Sequence, residues 1–428
     1  MIPFGPLLIL LVIAIAVVVV SSRLHFPYTA ALVLLGITIG FLAERVPLLG
    51  IAHQGTYLFS PELFFYVLLP PIIFEAGLHI DFPLLRARAP FILFLVFVGV
   101  LATILLTGFV VSWLIGLPIL AALLLAAILS PTDPIAVVDL FRRLKVPNEL
   151  ATITESESLL NDATGVIAFV VILGAIGSGA FNPVADAVEF AWLIIGGIVV
   201  GLLVAGGTYL LHRQLHDPAV ETTVSIVAAY GSYLVASDIG ASGIIAVAIA
   251  GIAVGTWVGP RTIAPEVRAS VGTFWNVVVW IDNSMIFLAM GILVAPSDIL
   301  DHLPLVLLVV AILYSGRAAF VYVHRPLARV LVGPQAELPT PWYNVLTLSG
   351  IRGAIPVVLA LSLLTSAPAL SSSIVQTIVG VVVGVAVISV VAGNLFATAY
   401  ITRHFSPAAV EDPLQPTAAG PDPEAVSK

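Results

Sequence analysis

Residues 117–141 read LPILAALLLAAILSPTDPIAVVDLF, an apolar run interrupted at its middle by Ser130, Pro131, Thr132, Asp133 and Pro134. Prolines this close together remove backbone donors and clash with carbonyls one turn earlier. In hydrocarbon the freed peptide groups must be satisfied inside the protein or by a water-filled cavity. Residues 342–364, WYNVLTLSGIRGAIPVVLALSLL, break in the same manner at Gly350, Gly353 and Pro356. Counted along the chain, these are the fifth and twelfth apolar stretches, so they cross the membrane in opposite directions. Interrupted helices at corresponding positions of two inverted halves are a sequence pointer to a transporter site near the membrane midplane. A pair of merely structural proline kinks accounts less well for two breaks in matching places.

The composition agrees with this reading. Of 428 residues, 60% are hydrophobic and 9% charged, against about 25% charged in soluble domains. The chain is expected to be an all-α, polytopic integral membrane protein. A transmembrane helix needs about 20 apolar residues, and some thirteen stretches qualify, near 3–22, 26–44, 62–78, 89–115, 117–141, 156–178, 184–211, 219–237, 240–258, 268–295, 300–324, 342–364 and 371–402. The seventh would link halves made of stretches one to six and eight to thirteen. The first has no basic flank or small-residue cleavage site and is expected to be retained. The absence of cysteine excludes disulfides, thiolate metal sites and cysteine nucleophiles.

Orientation follows from the Lys and Arg residues. Arg23, Arg86, Arg88, Arg142, Arg143, Lys145, Arg213, Arg261, Arg268, Arg325, Arg329, Arg403 and Lys428 all follow odd-numbered stretches, and only Arg45 follows an even one. Odd-numbered loops are therefore expected in the cytoplasm, with the N-terminus outside and the C-terminus inside. Residues 406–428, rich in Pro, Ala and acids, are expected to be a short disordered tail. The eight histidines fall in loops or near stretch ends and read as interfacial or solvated. Gly197xxxGly201, Gly251xxxGly255 and Gly380xxxGly384 permit close helix packing without marking a dimer face.

Ionisable residues inside spans are costly and usually functional. Those here are Glu75, Asp133, Glu157, Asp162, Asp238, Asp282, Arg317 and Arg352. Within ESESLLNDATG (155–165), Ser158 and Asp162 share one helix face, and Glu157 and Asn161 share the adjoining one. Asp162 is the expected carrier: burial penalises a carboxylate's charged form, so a proton and a small cation can compete for it. A hard monovalent cation prefers oxygen ligands. Those at hand are Asp162, Asp133, the Ser158 hydroxyl, Thr132 and its freed carbonyl, and Glu75. Arg317 and Arg352 need partners, and Glu157 and Asp238 are the acids left over. Pairing Glu157 with Arg317 and Asp238 with Arg352 is preferred, with the swap open. Asp282 is either a further partner or part of a funnel.

At these residues the chain resembles the sodium/proton exchanger family, including bacterial and archaeal NhaP-type antiporters. The likeness is carried by LLPPIIFEAGL (68–78), SPTDPIAVVDLFRRLKVP (130–147), ESLLNDATG (157–165), ASGIIAVAIAGIAVG (241–255), WIDNSMIFLAMGI (280–292) and GIRGAIPVVLALSL (350–363), in order, from about residue 5 to 405. It implies a transmembrane antiporter domain over 1–405, with two crossed broken helices in a core of about 89–178 and 300–402. A dimerisation scaffold of about 3–78 and 184–295 would complete a homodimer, with the core moving against it. The family's ion site falls on Asp133 and Asp162, with Thr132, Ser158 and Glu75 nearby and Asn161 holding the site to the unwound backbone. An amide at Asn161, where relatives moving two protons have a second acid, resembles the electroneutral branch. Ser156 stands where the family usually has Gly, and Pro356 varies among subgroups, some of which look like potassium transporters.

The expected function is a secondary antiporter of the inner membrane, exchanging Na⁺ (or Li⁺ or K⁺) for H⁺ at Asp162. It would need no cofactor, have no nucleic-acid partner and use membrane lipid as its solvent. A K⁺/H⁺ antiporter of the same fold is the alternative. An intramembrane aspartyl protease also buries two aspartates, but its GxGD motif is missing around Asp133 and Asp162. A cation channel fits two inverted broken helices less well than alternating access does.

Overall fold

The computed structural model describes residues 4–24, 26–45, 61–133, 146–179, 181–212, 217–293, 296–331, 337–367 and 369–405, with 137, 138, 141 and 144 as isolated positions. Every regular element among them is helical. In chain order, apart from a short helix at Pro296–Asp301, these are α1 (Phe4–Leu24), α2 (Tyr28–Arg45), α3 (Pro61–His79), α4 (Phe82–Ile115), α5 (Ile119–Ile128), α6 (Asn148–Ser178), α7 (Pro183–His212), α8 (Pro218–Asp238), α9 (Gly243–Thr262), α10 (Pro265–Ile292), α11 (Leu303–Leu331), α12 (Thr340–Leu348), α13 (Ala354–Ser366) and α14 (Ser372–His404). Among the described residues, nine helices are long and apolar enough to cross a membrane. Shorter apolar helices lie within α1, α2, α5 and α13, and the last two are short because the chain is interrupted beside them. Each expected stretch thus coincides with a helix or an interrupted helix. Pro134, the loop basic residues Arg142, Arg143, Lys145 and Arg213, and the tail 406–428 lie outside the described residues.

The ends follow local chemistry. Proline opens α3, α7, α8 and α10, where a missing N–H costs nothing. Asp217 caps α8 by accepting from the Ala219 and Val220 amides at 2.9 and 3.2 Å. Gly116 and Gly179 end α4 and α6 in the left-handed region, at φ 70° and 76°.

One large apolar cluster, with Val33, Phe74, Leu159, Leu288, Val358 and Val387 among its members, runs through most of the helices, and two further sets of contacts stand out. The buried members of a smaller apolar cluster, Ile104, Leu125, Ile128, Phe169, Val309, Leu359 and Val381 among them, come from α4, α5, α6, α11, α13, α14 and the segments joining them, and Phe65 of α3 packs against it. Here α5 is sheathed by α4, α6, α13 and α14, which suits a helix whose residues 124–129 are all buried. The second set joins α2 to α10, and α9 to α3, α7 and α8. Its crossings run through glycine. Side chains at Gly36 and Gly291 would overlap the facing backbones of α10 and α2, and a Cβ at Gly201 would lie 2.6 Å from the Ala246 carbonyl. Gly197 and Gly201 press on α9, Gly251 and Gly255 on α3, and Gly380 and Gly384 on His302 and Val306. All three small-residue motifs therefore serve contacts within the chain. Large apolar residues such as Leu101, Phe109, Trp113, Ile195 and Leu203 point outward, as a lipid-facing surface requires.

Two histidines depart from the expected interfacial placement. His212 is buried and paired with buried Glu221 between the end of α7 and the start of α8. His324 is buried against the Phe91 ring, centroids 4.1 Å apart. The sequence hides both because the partners lie on other helices.

Gly291→Leu should lower the melting temperature of the purified protein by several degrees, since overpacking costs roughly 1–3 kcal/mol, while Gly207→Ala, open within 4 Å, should leave it unchanged. Equal melting for all three proteins would remove the α2–α10 crossing as a stability determinant.

Candidate ion site

Where α5 and α12 stop, the chain runs on without helical hydrogen bonds, and each break satisfies the other. The Asp133 amide donates to the Ile351 carbonyl at 2.7 Å, tying the two interruptions together. The Arg352 amide donates to Ser389 Oγ at 2.9 Å. The Arg352 guanidinium donates from Nε to the Leu129 carbonyl at 3.2 Å and from Nη1 to the Gly350 carbonyl. These carbonyls close the C-terminal ends of α5 and α12, where the macrodipole is negative. Asp133 sits at the opposite pole. It packs so closely on Gly353, just ahead of α13, that any side chain there would overlap its carboxylate.

This corrects one expectation. Arg352 does not pair with Asp238, which is exposed at the end of α8. Backbone carbonyls at two helix ends, with the Tyr314 ring 5.7 Å from the guanidinium carbon, replace the acid that a buried arginine was expected to need. Asp238 is no part of the site.

Helix α6 lies against this crossing. Its approach requires Gly165, where a Cβ would meet Ser130 Oγ at 2.5 Å and Pro131 at 2.8 Å. Ser158 Oγ donates to the Thr132 carbonyl, and Thr132 Oγ1 lies 3.3 Å from Ser158 Oγ. Asn161 Nδ2 donates to Thr132 Oγ1 at 3.4 Å and to Glu157 Oε1. Glu157 also receives both terminal nitrogens of Arg317, at 2.9 and 2.8 Å, and Arg317 Nε donates to the Leu346 carbonyl at 2.8 Å. Both side chains are buried, so Glu157 is wholly engaged by neighbours.

Asp162 differs. It faces Asp133 and the Thr132 backbone, and its Oδ1 is buried without a hydrogen-bond partner among the described residues. Together with Thr132, Asp133, Ser158 and Glu75 it lines a single cavity of about 340 Å³. Its far wall comes from α3 and α10, through Ile72, Glu75, Asn276, Trp280 and Asn283. Such an oxygen-only set, with one carboxylate oxygen unengaged, suits a proton or a small hard cation. Asp282 is not in this lining. It is buried on α10 beside Tyr230, with Oδ2 unpartnered.

Several members of the cavity wall were missed in the sequence, His79, Glu155 and Asn283 among them. His79 lies 3.1 Å from Glu75 Oε1, a contact that the four-residue spacing on a helix could have signalled. Glu155 also lines the cavity, and its place in ESES hid it among stronger candidates. Asn283 comes from α10, and nothing local distinguishes it from any other buried amide.

Two interrupted membrane helices crossing beside carboxylates at the base of a cavity define a membrane transporter of the inverted-repeat class. Residues 7–398 match the family described as sodium/hydrogen exchanger, transmembrane, and the chain belongs to that family. It is 31% identical to the Na(+)/H(+) antiporter ApNhaP of Aphanothece halophytica over 360 residues, 83% of this chain and 67% of that protein. It is 31% identical to the low-affinity Na(+)/H(+) antiporter NhaS1 of Synechocystis over 384 residues, 88% and 70% of the two chains. A sodium, potassium, lithium and rubidium/H(+) antiporter of Bacillus subtilis is 32% identical over 268 residues, 60% of this chain and 39% of that one. The solved structure of the sodium proton antiporter MjNhaP1 from Methanocaldococcus jannaschii shares the fold, with a TM-score of 0.78 at 23% identity, covering 94% of this chain and 97% of that one.

Removing one partner of a buried ion pair costs about 3–5 kcal/mol. Arg317→Ala should therefore reduce the yield of monodisperse protein sharply, and adding Glu157→Gln should restore part of it. A double variant no better than Arg317→Ala would show that the uncompensated Glu157 charge is not the cause.

Proposed function

We propose that this protein is a secondary antiporter exchanging one Na⁺ for one H⁺, the two competing for Asp162. The observation that carries this reading is the unpartnered Asp162 Oδ1 at the cavity base, beside Thr132, Asp133 and Ser158. A carboxylate with a spare oxygen in an apolar-walled cavity binds a proton, or a cation that other oxygens help to dehydrate. Thr132, Ser158 and Asp133 complete the cation's shell, and Glu75 receives it across the cavity. Asn161 spends its amide on Thr132 and Glu157 and contributes no second exchangeable proton, which supports electroneutral exchange. The names of the relatives favour Na⁺. The broader range in the name of the Bacillus subtilis relative keeps K⁺ and Li⁺ as alternatives.

The bundle of α4, α5, α6 and α11–α14 is the proposed moving core, and α1–α3 with α7–α10 the scaffold, through which two copies would dimerise in the plasma membrane. The cavity wall includes Val18 toward the end of α1, Tyr28 at the start of α2, His79 at the end of α3 and Glu155 in the first part of α6. By the distribution of Lys and Arg, these lie on the cytoplasmic side, so the site faces inward, with the N-terminus outside.

The test uses purified protein in liposomes with an internal pH dye and a preset pH gradient, adding Na⁺, Li⁺ or K⁺ with the membrane potential free or clamped. Cation-triggered collapse indifferent to the potential is the expected result; collapse that follows the potential would refute one-for-one exchange. Asp162→Asn should be folded and inactive, Ser158→Ala should raise the apparent KM with transport surviving, and Asp238→Asn should match the parent. Where proton and cation compete one for one, the apparent KM should rise as pH falls, approaching about tenfold per unit. A KM constant from pH 6 to 8.5, or exchange by Asp162→Asn, would sink the shared-site reading.

A further inference from the structure

Behind the ion site, on the face of α6 turned away from the large cavity, lies a second, smaller space. It is small, about 30 Å³, which exceeds what a single water needs. Its polar lining is Ser130, Thr103, Glu157, Asn161, Arg317 and Arg352, and every one of these side chains is nine-tenths or more buried. Two of them have capacity left over. Glu157 only accepts, so the Asn161 nitrogen must face it, and Asn161 Oδ1 is left buried with no partner among the described residues. Arg352 commits Nε and Nη1 to the Leu129 and Gly350 carbonyls, and its Nη2 has no hydrogen bond among the described residues. An orphan acceptor and a spare cationic donor around a polar space of this size are what holds an interior water.

We propose that this chamber holds a buried water that accepts from the Arg352 guanidinium and donates to Asn161 Oδ1, which makes Arg352 a positioning residue for the ion site. The water fixes the plane of the Asn161 amide, and that amide in turn holds Thr132 Oγ1 at the base of the large cavity. An anion fits poorly, because Glu157 and Asn161 Oδ1 present negative oxygens to the same space. Gly99 is the point of access for testing this. It lines the chamber at the end of the π-helical turn Phe94–Gly99, and a Cβ there would meet only the Phe94 carbonyl, at 3.9 Å.

The first arm is a map of the parent protein at a resolution that shows ordered water, collected with and without bromide replacing chloride. A peak within hydrogen-bonding distance of both Asn161 Oδ1 and Arg352 is expected. An empty chamber, or a bromide signal, overturns the proposal. The second arm rests on the proposed exchange and reads it kinetically. Gly99→Val, whose methyls extend toward the space beyond a Cβ that alone meets only the Phe94 carbonyl, should raise the apparent KM for Na⁺ about threefold to tenfold, the worth of one hydrogen bond, with maximal rate kept. Gly99→Thr, of the same shape but with a hydroxyl that can stand in for the water, should recover most of the loss. Unchanged KM in Gly99→Val, or a rate loss shared equally by both variants, would mean that the chamber only packs. Should the parent transport no cation, the exchange reading fails while the map still decides the water.

Discussion

The structure depends on one constraint: a peptide group inside hydrocarbon needs a hydrogen-bond partner, and a broken helix loses several at once. Here two breaks are placed so that each repairs the other. The Asp133–Ile351 backbone bond joins them directly, and Arg352 gathers the carbonyls left at the ends of α5 and α12. The charges at the crossing follow from this repair. A cation lies at the two C-terminal ends and an acid near an N-terminal end, so the macrodipoles are answered before any transported ion arrives.

Helix α6 then separates two acids by their direction. Glu157 and Asp162 are five residues apart, about 140° around a helix. Glu157 points to Arg317 and the small chamber, and Asp162 points to the large cavity. One helix thereby presents a carboxylate wholly satisfied by protein and another with an oxygen to spare. Asn161, between them, bonds to Glu157 on one side and to the unwound Thr132 on the other, so the structural acid helps hold the site's floor.

Much of this was legible in the sequence because the relevant residues violate local rules. Pro131 in an apolar run, the Gly350–Gly353–Pro356 series and Asp162 beside Asn161 cannot be explained by propensity, and conflicts of that kind concentrate at functional sites. What stayed hidden depended on partners from distant segments. The supposed Asp238–Arg352 pair came from matching leftover charges, a procedure blind to carbonyl groups, which every residue carries and no residue type announces. His212 with Glu221, and Asn283 in the cavity wall, were hidden for the same reason: only folding brings α7 to α8 and α10 to α6. The glycine motifs were visible, but their partners were not. In each case the facing surface turned out to be another helix of the same chain.

The contact between Gly353 and the Asp133 carboxylate has a kinetic consequence. Oxygens proposed to surround the cation come from α6 and from the first break, while the second break is locked onto the same residues. Drawing the two breaks apart would dismantle the shell that holds the ion. In the proposed exchange the shell must therefore survive the passage whole, and discrimination between cations is made once, when water is stripped on entry. In that scheme transit adds no second chance to reject an ion, so fidelity is set by loading.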